Sequence, residues 1–192
     1  MGSNRDLEHL AILQEYFASH RVVPAYAAIC ALLGFGSKTA AAKLARRLRQ
    51  QGYLDQSPDG RLTPAARFFE RPLVGRAPAG FASPASELLG DAISIDDFLV
   101  PHPAATVLVQ VRGDSMIGAG IHDGDFLVVE RRSTAAPGAI VVAVVDGEYT
   151  VKYLQRDAHG YYLQPANPAF PNLRPQGSLE LYGVMVGMFR KA

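Results

Sequence analysis

SKTAAAKLARRLRQQGYLDQSPDGRLTP, residues 37–64, decides how the first third of the chain folds. Ser37 is placed to cap a helix over Lys38–Gln51, and Gly52 supplies its stop. Ala41, Leu44, Ala45 and Leu48 recur at helical spacing as a core stripe. The opposite face carries Thr39, Lys43, Arg46 and Gln50, with Lys38 and Ala42 flanking. Tyr53–Ser57 and Arg61–Thr63 then bracket Pro58-Asp59-Gly60, a hairpin signal. Thr63 as N-cap with Pro64 at the first helical position predicts a short helix to about Glu70.

Working outward, residues 5–19 read as a helix with Leu7, Leu10, Leu13 and Phe17 on one apolar face and Ile12 and Tyr16 beside it. Pro24 permits a second helix start, and Ile29, Leu32 and Leu33 continue a buried pattern that Gly34 ends. Three helices followed by a hairpin is the winged helix-turn-helix order. In that arrangement Lys38–Gln51 is the recognition helix, and residues near its N-terminus reach base edges in the major groove. Ser37, Lys38, Thr39, Ala42, Lys43 and Arg46 are so placed, while Arg47, Arg49 and the wing residue Arg61 are candidates for phosphate contacts. A basic exposed helix alone is an ordinary solvated face. Charge distribution strengthens the DNA reading: residues 1–79 carry a net +5 and residues 80–192 a net −4.

The whole chain, 192 residues with 48% hydrophobic and 19% charged, is long enough for one large or two small domains with buried cores. It has no apolar run of membrane-spanning length, and the expected absence of a signal peptide follows from MGSNRDLEHL. A single cysteine, Cys30, excludes an internal disulfide and a cysteine metal cluster. Residues 71–90, RPLVGRAPAGFASPASELLG, have linker composition. From Ile93 onward the runs Ala105–Val111, Phe126–Val129, Ile140–Val145 and Tyr149–Leu154 alternate with turns. Short strands with tight turns imply a mostly antiparallel, barrel-like or sandwich domain.

One pairing in that domain carries chemistry. Gly113-Asp114-Ser115-Met116 is followed by Thr150-Val151-Lys152. A serine hydroxyl is a weak nucleophile until a neighbouring base takes its proton, and a lysine can be that base if burial makes it neutral. Strand alternation puts Thr150, Lys152 and Leu154 on one face, which leaves Lys152 either buried or snorkelling at an edge. His102 and His122 have no patterned acid partner beyond Asp123 and Asp125, which read as turn residues. Metal-ligand spacings, phosphate loops and dinucleotide fingerprints are lacking, so no metal or cofactor is expected.

With these residues in view, the chain resembles the LexA/UmuD group of self-cleaving SOS proteins over nearly its full length. Residues 111–130, VRGDSMIGAGIHDGDFLVVE, are similar to that group's nucleophile segment, and 146–154, DGEYTVKYL, to its catalytic-lysine strand. Val23–Tyr53 is similar to the LexA winged helix, and residues 71–80 to the LexA cleavage region, whereas Phe81–Ala85 and Ile95–Thr106 look closer to UmuD. The resemblance implies an α+β multidomain protein: a winged helix-turn-helix domain over 4–70, a linker over 71–91, and a LexA/signal-peptidase-like β domain over 92–192. It implies Ser115 and Lys152 as a Ser–Lys dyad, Ala79-Gly80 as the scissile pair, and operator DNA, a second copy of the chain and an activated RecA filament as partners. Backbone N–H groups around Ser115 and Met116 would form the oxyanion hole. The protein is expected in the bacterial cytoplasm, at the nucleoid.

Two departures bear on that expectation. Pro78 stands where LexA proteins usually have alanine, and its ring removes an N–H that an extended cleavage segment could donate. That favours a second reading, a non-cleaving DNA-binding regulator whose peptidase fold only dimerises or receives another signal. The recognition helix also lacks the acidic pair and asparagine of better-known members, so a different operator is expected. Two further classes weigh less: a polymerase accessory, against which the helix-turn-helix argues, and a protease acting in trans, which would carry a membrane anchor.

Overall fold

The structure, a computed structural model, describes residues 4–73 and 92–192. The expected cleavage pair Ala79-Gly80 and its neighbour Pro78 lie outside the described residues. The chain divides into two compact units, Met1–Ile95 and Asp96–Ala192.

The first unit contains α1 (Asn4–His20), α2 (Tyr26–Leu33), α3 (Lys38–Gln50), and the two-stranded ribbon β1 (Leu54–Gln56) and β2 (Leu62–Pro64). Leu10, Leu13, Ile29, Ala41, Leu44, Ala45 and Leu48 from the three helices join Leu54, Leu62 and Phe68 in one core. The predicted stripe of α3 is buried in full. On α1 the expected face is narrower: Leu7 and Ile12 are largely exposed, and so is Leu32 on α2. The expected helix after Thr63 is a 3-10 turn over Ala66–Phe69 entered from Ala65, and Pro64 instead ends β2 opposite Leu54. A two-stranded ribbon tolerates proline because an N–H on its open side has no strand to meet.

The second unit is built on a six-stranded antiparallel sheet. Its strands are β3 (Thr106–Gln110), β4 (Phe126–Glu130), β5 (Ile140–Val145), β6 (Glu148–Asp157), β7 (Gly160–Gln164) and β8 (Leu179–Phe189), in the order β3-β4-β8-β5-β6-β7. A short helix α4 (Ile95–Leu99) precedes it. β5 reads IVVAVV without alternation because it is an inner strand covered on both faces. Val141, Ala143, Val145, Leu154 and Leu163 fill one side, while Val142 joins Val111, Met116, Ile121, Leu127 and Val129 on the other. β8, the longest strand, was not apparent in the sequence. Two register shifts and its glycines break its alternation, and at Gly183 a Cβ would come within 2.5 Å of the Glu130 carbonyl oxygen.

Two features of this sheet position chemistry. β6 delivers Thr150 and Lys152 on one face, with Lys152 opposite Val141. The loop joining β3 to β4 is closed at its neck, where Val111 N–H donates to the Asp125 carbonyl (2.8 Å) and Gly124 N–H to the Val111 carbonyl (2.9 Å).

Candidate active site and nucleic-acid interface

Ser115 sits in that closed loop, and Lys152 reaches it from β6. The Lys152 Nζ lies 2.8 Å from Ser115 Oγ, 3.0 Å from Thr150 Oγ1 and 3.0 Å from the Val151 carbonyl oxygen. Lys152 is buried, at 8% exposure, so of the two sequence alternatives the snorkelling one is excluded. None of these three partners is a carboxylate, and burial alone pushes the lysine down from its usual range. The three contacts are met by an ammonium donating three N–H groups, and equally by a neutral amine that donates to Thr150 and Val151 and accepts from the serine hydroxyl. Thr150 was noted in the sequence only as a face-mate of Lys152; its contact with the amine emerges from the fold.

The nucleophile loop is fixed from several sides. Gly113 N–H donates to Asp123 Oδ1 at 2.6 Å, so Asp123 braces the turn before the serine rather than only shaping its own turn. Asp125 is buried, accepts from His122 N–H at 2.8 Å and pairs with Arg190 near the chain end. Those donors hold its carboxyl below the usual range. Met116 is buried in the core beneath. Two clefts of about 290 and 250 Å³ flank the dyad. Phe170, Pro171 and Leu173 wall the first, Val109, Val142 and Val151 the second, and both include Ser115 and Lys152. An extended peptide passing the serine would find an apolar wall on either side.

In the helical unit, Ser37 caps α3 by accepting from Ala40 N–H at 3.3 Å. Lys38, Thr39, Ala42, Lys43 and Arg46 are all exposed along that helix, as expected. Arg61 stands exposed on the wing beside Asp59 (3.1 Å). Arg49 donates to Gln56 Oε1 (2.7 Å), and Gln56 Nε2 donates to the Gly60 carbonyl (2.8 Å), which braces the wing against α3. Arg47, expected at a phosphate, makes two 2.8 Å bonds from Nε and Nη2 to the buried carboxylate of Asp6, tying α3 to α1. No sequence pattern links positions 6 and 47; only the packing of α1 on α3 brings them together.

Comparison with known proteins agrees with this geometry. A family profile described as Peptidase S24-like matches residues 72–186. The chain is 35% identical to LexA repressor 2 of Pseudomonas putida over 193 residues, covering 93% of each protein. It is 34% identical to the LexA repressor of Alcanivorax borkumensis, covering 98% of this chain and 95% of that one. Protein SamA of Salmonella typhimurium is 40% identical over 116 residues, 60% of this chain and 81% of SamA. Similarity to LexA repressors thus runs through both units, and the profile match takes in Ser115 and Lys152. The chain belongs to the LexA repressor family, with a peptidase S24-like C-terminal domain.

Proposed function

We propose that this protein is an SOS-type transcriptional repressor that binds a two-fold operator as a homodimer and inactivates itself by cutting Ala79-Gly80, a cut stimulated by an activated RecA filament in the bacterial cytoplasm. The observation that carries the reading is the 2.8 Å contact between Ser115 Oγ and a buried Lys152 with no carboxylate partner. Ser115 Oγ attacks the Ala79 carbonyl carbon as Lys152 Nζ takes its proton. The N–H groups of Ser115 and Met116 receive the developing oxyanion. The C–N bond to Gly80 then breaks, its amine takes a proton from Lys152, and water hydrolyses the acyl-serine. Cutting detaches the DNA-reading unit from the C-terminal unit and releases the operator.

DNA binding rests on the exposed Lys38, Thr39, Ala42, Lys43 and Arg46 of α3, capped by Ser37, and on Arg61 of the wing. The test is incubation of purified protein from neutral to alkaline pH. Fragments of 79 and 113 residues should accumulate in the wild type and be absent from Ser115→Ala. Intact wild-type protein, with and without activated RecA, would overturn self-cleavage. It would leave the second reading, a non-cleaving regulator, which Pro78 favours by withdrawing one N–H from the segment before the cut.

A further inference from the structure

Asn167 lies in Gln-Pro-Ala-Asn-Pro, residues 164–168, after β7 and away from either member of the dyad in sequence. It is a buried polar side chain, 8% exposed, and both ends of its amide are used. Nδ2 donates to the Asp114 carbonyl at 3.1 Å, and Oδ1 accepts from Ala169 N–H at 3.0 Å. The two backbone partners fix which end is oxygen: an N–H requires the acceptor and a carbonyl requires the donor. Next to it, Ala166 N–H donates to the Ser115 carbonyl at 2.9 Å, and Gly118 N–H donates to the Ala166 carbonyl at 3.0 Å.

These contacts have a directional meaning. The Asp114 carbonyl belongs to the same peptide plane as the Ser115 N–H, and the Ser115 carbonyl to the same plane as the Met116 N–H. In a trans peptide the C=O and N–H point in opposite directions. No peptide bond in the described chain is cis. Pinning the two carbonyls therefore aims the two N–H groups the opposite way. Among the described residues neither N–H has an acceptor of its own. Gly118 is part of the same device: a Cβ there would sit 2.0 Å from the Ala166 carbonyl oxygen, so only glycine permits the approach that locks the turn.

We propose that Ala166–Asn167 is the strut that orients the oxyanion hole, with Asn167 as a positioning residue that aims the Ser115 N–H. This rests on the self-cleavage reading above. Asn167 hydrogen-bonds neither Ser115 Oγ nor Lys152; it acts through the Asp114–Ser115 peptide. Its effect should therefore fall on the rate at full deprotonation of the base, while the pH at which the rate reaches half its plateau stays where it is.

The experiment compares the first-order self-cleavage rate against pH for the wild type, Asn167→Ala and the near-isosteric Asn167→Leu, in the full chain. Removing a direct oxyanion donor costs about 10²–10³-fold, so misaiming one should slow the plateau by roughly 10–100-fold with an unmoved half-point. In parallel, a peptide boronic acid matching residues 74–79 is titrated against Gly80→Asp, in which the scissile pair is altered while Ser115 remains. Formation of the tetrahedral adduct on Ser115 should weaken by a similar factor when Asn167→Leu is added. Gly118→Ala, which must displace the Ala166 carbonyl from the other side, should show the same pattern. Folded Asn167 variants that cleave within twofold of wild type, or a half-point that shifts while the plateau holds, would overturn the inference. Wild-type protein that neither cleaves nor forms the adduct would instead overturn the self-cleavage reading, and this inference with it.

Discussion

To act on Ser115 as proposed, Lys152 must be neutral, and its surroundings set the pH at which that would happen. With its folded pKa lowered by burial, the neutral fraction grows as pH rises, so self-cleavage should accelerate from neutral to alkaline conditions and then level. A flat rate across that range would remove lysine as the base. The same shift has a stability sign. Between the lowered folded value and about 10.4 for an exposed lysine, the unfolded chain binds more protons, so stability rises with pH through that window. Lys152→Met should therefore abolish cutting and raise the thermal midpoint of the C-terminal unit at neutral pH. A lowered midpoint would show that burial of the amine carries no cost. At Asp6 the sign is reversed. Arg47, chiefly through its hydrogen bonds, holds that carboxyl below the usual range, so its contribution is present above about pH 4 and is lost as acid protonates it. Solvent reaches the half-exposed guanidinium, so Arg47→Ala should cost about 1 kcal/mol, read by urea unfolding, with DNA affinity falling only through that loss.

Among the elements, α3 was fully legible in the sequence. A capping serine, a four-residue apolar stripe and a stopping glycine all agree, and local consistency of that kind is what sequence patterns record. β8 was illegible for the opposite reason: its extra residues, Val186 opposite Val128/Val129 and Tyr182 opposite Val142/Ala143, break the alternation that would reveal it. Thr63-Pro64 misled because the same pair serves a helix start and a strand end, and the pairing with Leu54 decided between them. The dyad was legible as two residue types, but its geometry was not, since the closed loop that seats Ser115 is braced by Asp123 at Gly113 and by Asn167 at Asp114, contacts that only the fold creates. For α3 the expectation is that Thr39→Ala or Lys43→Ala weakens operator binding more than nonspecific binding, measured by competition with unrelated duplex. An unchanged ratio for both would move the recognition surface elsewhere. Gln56→Ala, which unbraces the wing, should weaken both kinds of binding together, because the wing is assigned to phosphates.

At the scale of the molecule, each unit has its own core. Both fragments of a cut at residue 79 should therefore remain folded, which circular dichroism of the separated products would check. The cut is intramolecular if the linker reaches the dyad of its own dimer, and the first-order rate constant should then be constant on dilution while the dimer persists. Proportionality to concentration would indicate attack between dimers.

The bases of the linker are joined: Arg71 and Ile93 exchange two backbone hydrogen bonds, Arg71 N–H to the Ile93 carbonyl (2.7 Å) and Ile93 N–H to the Arg71 carbonyl (2.9 Å). While the 21 residues between them are continuous, closing the bridge is an intramolecular step. A cut anywhere in that span turns the bridge into an encounter between two molecules. Two such bonds, at about 1 kcal/mol each, correspond to a dissociation constant of roughly tens of millimolar, far above the concentration of a regulator in a cell. The bridge then has no power to rejoin what was severed. If the chain cuts itself as proposed, the step is one-way: a single hydrolysed bond erases a contact that no later fall in the signal restores, and repression would return only with newly made protein.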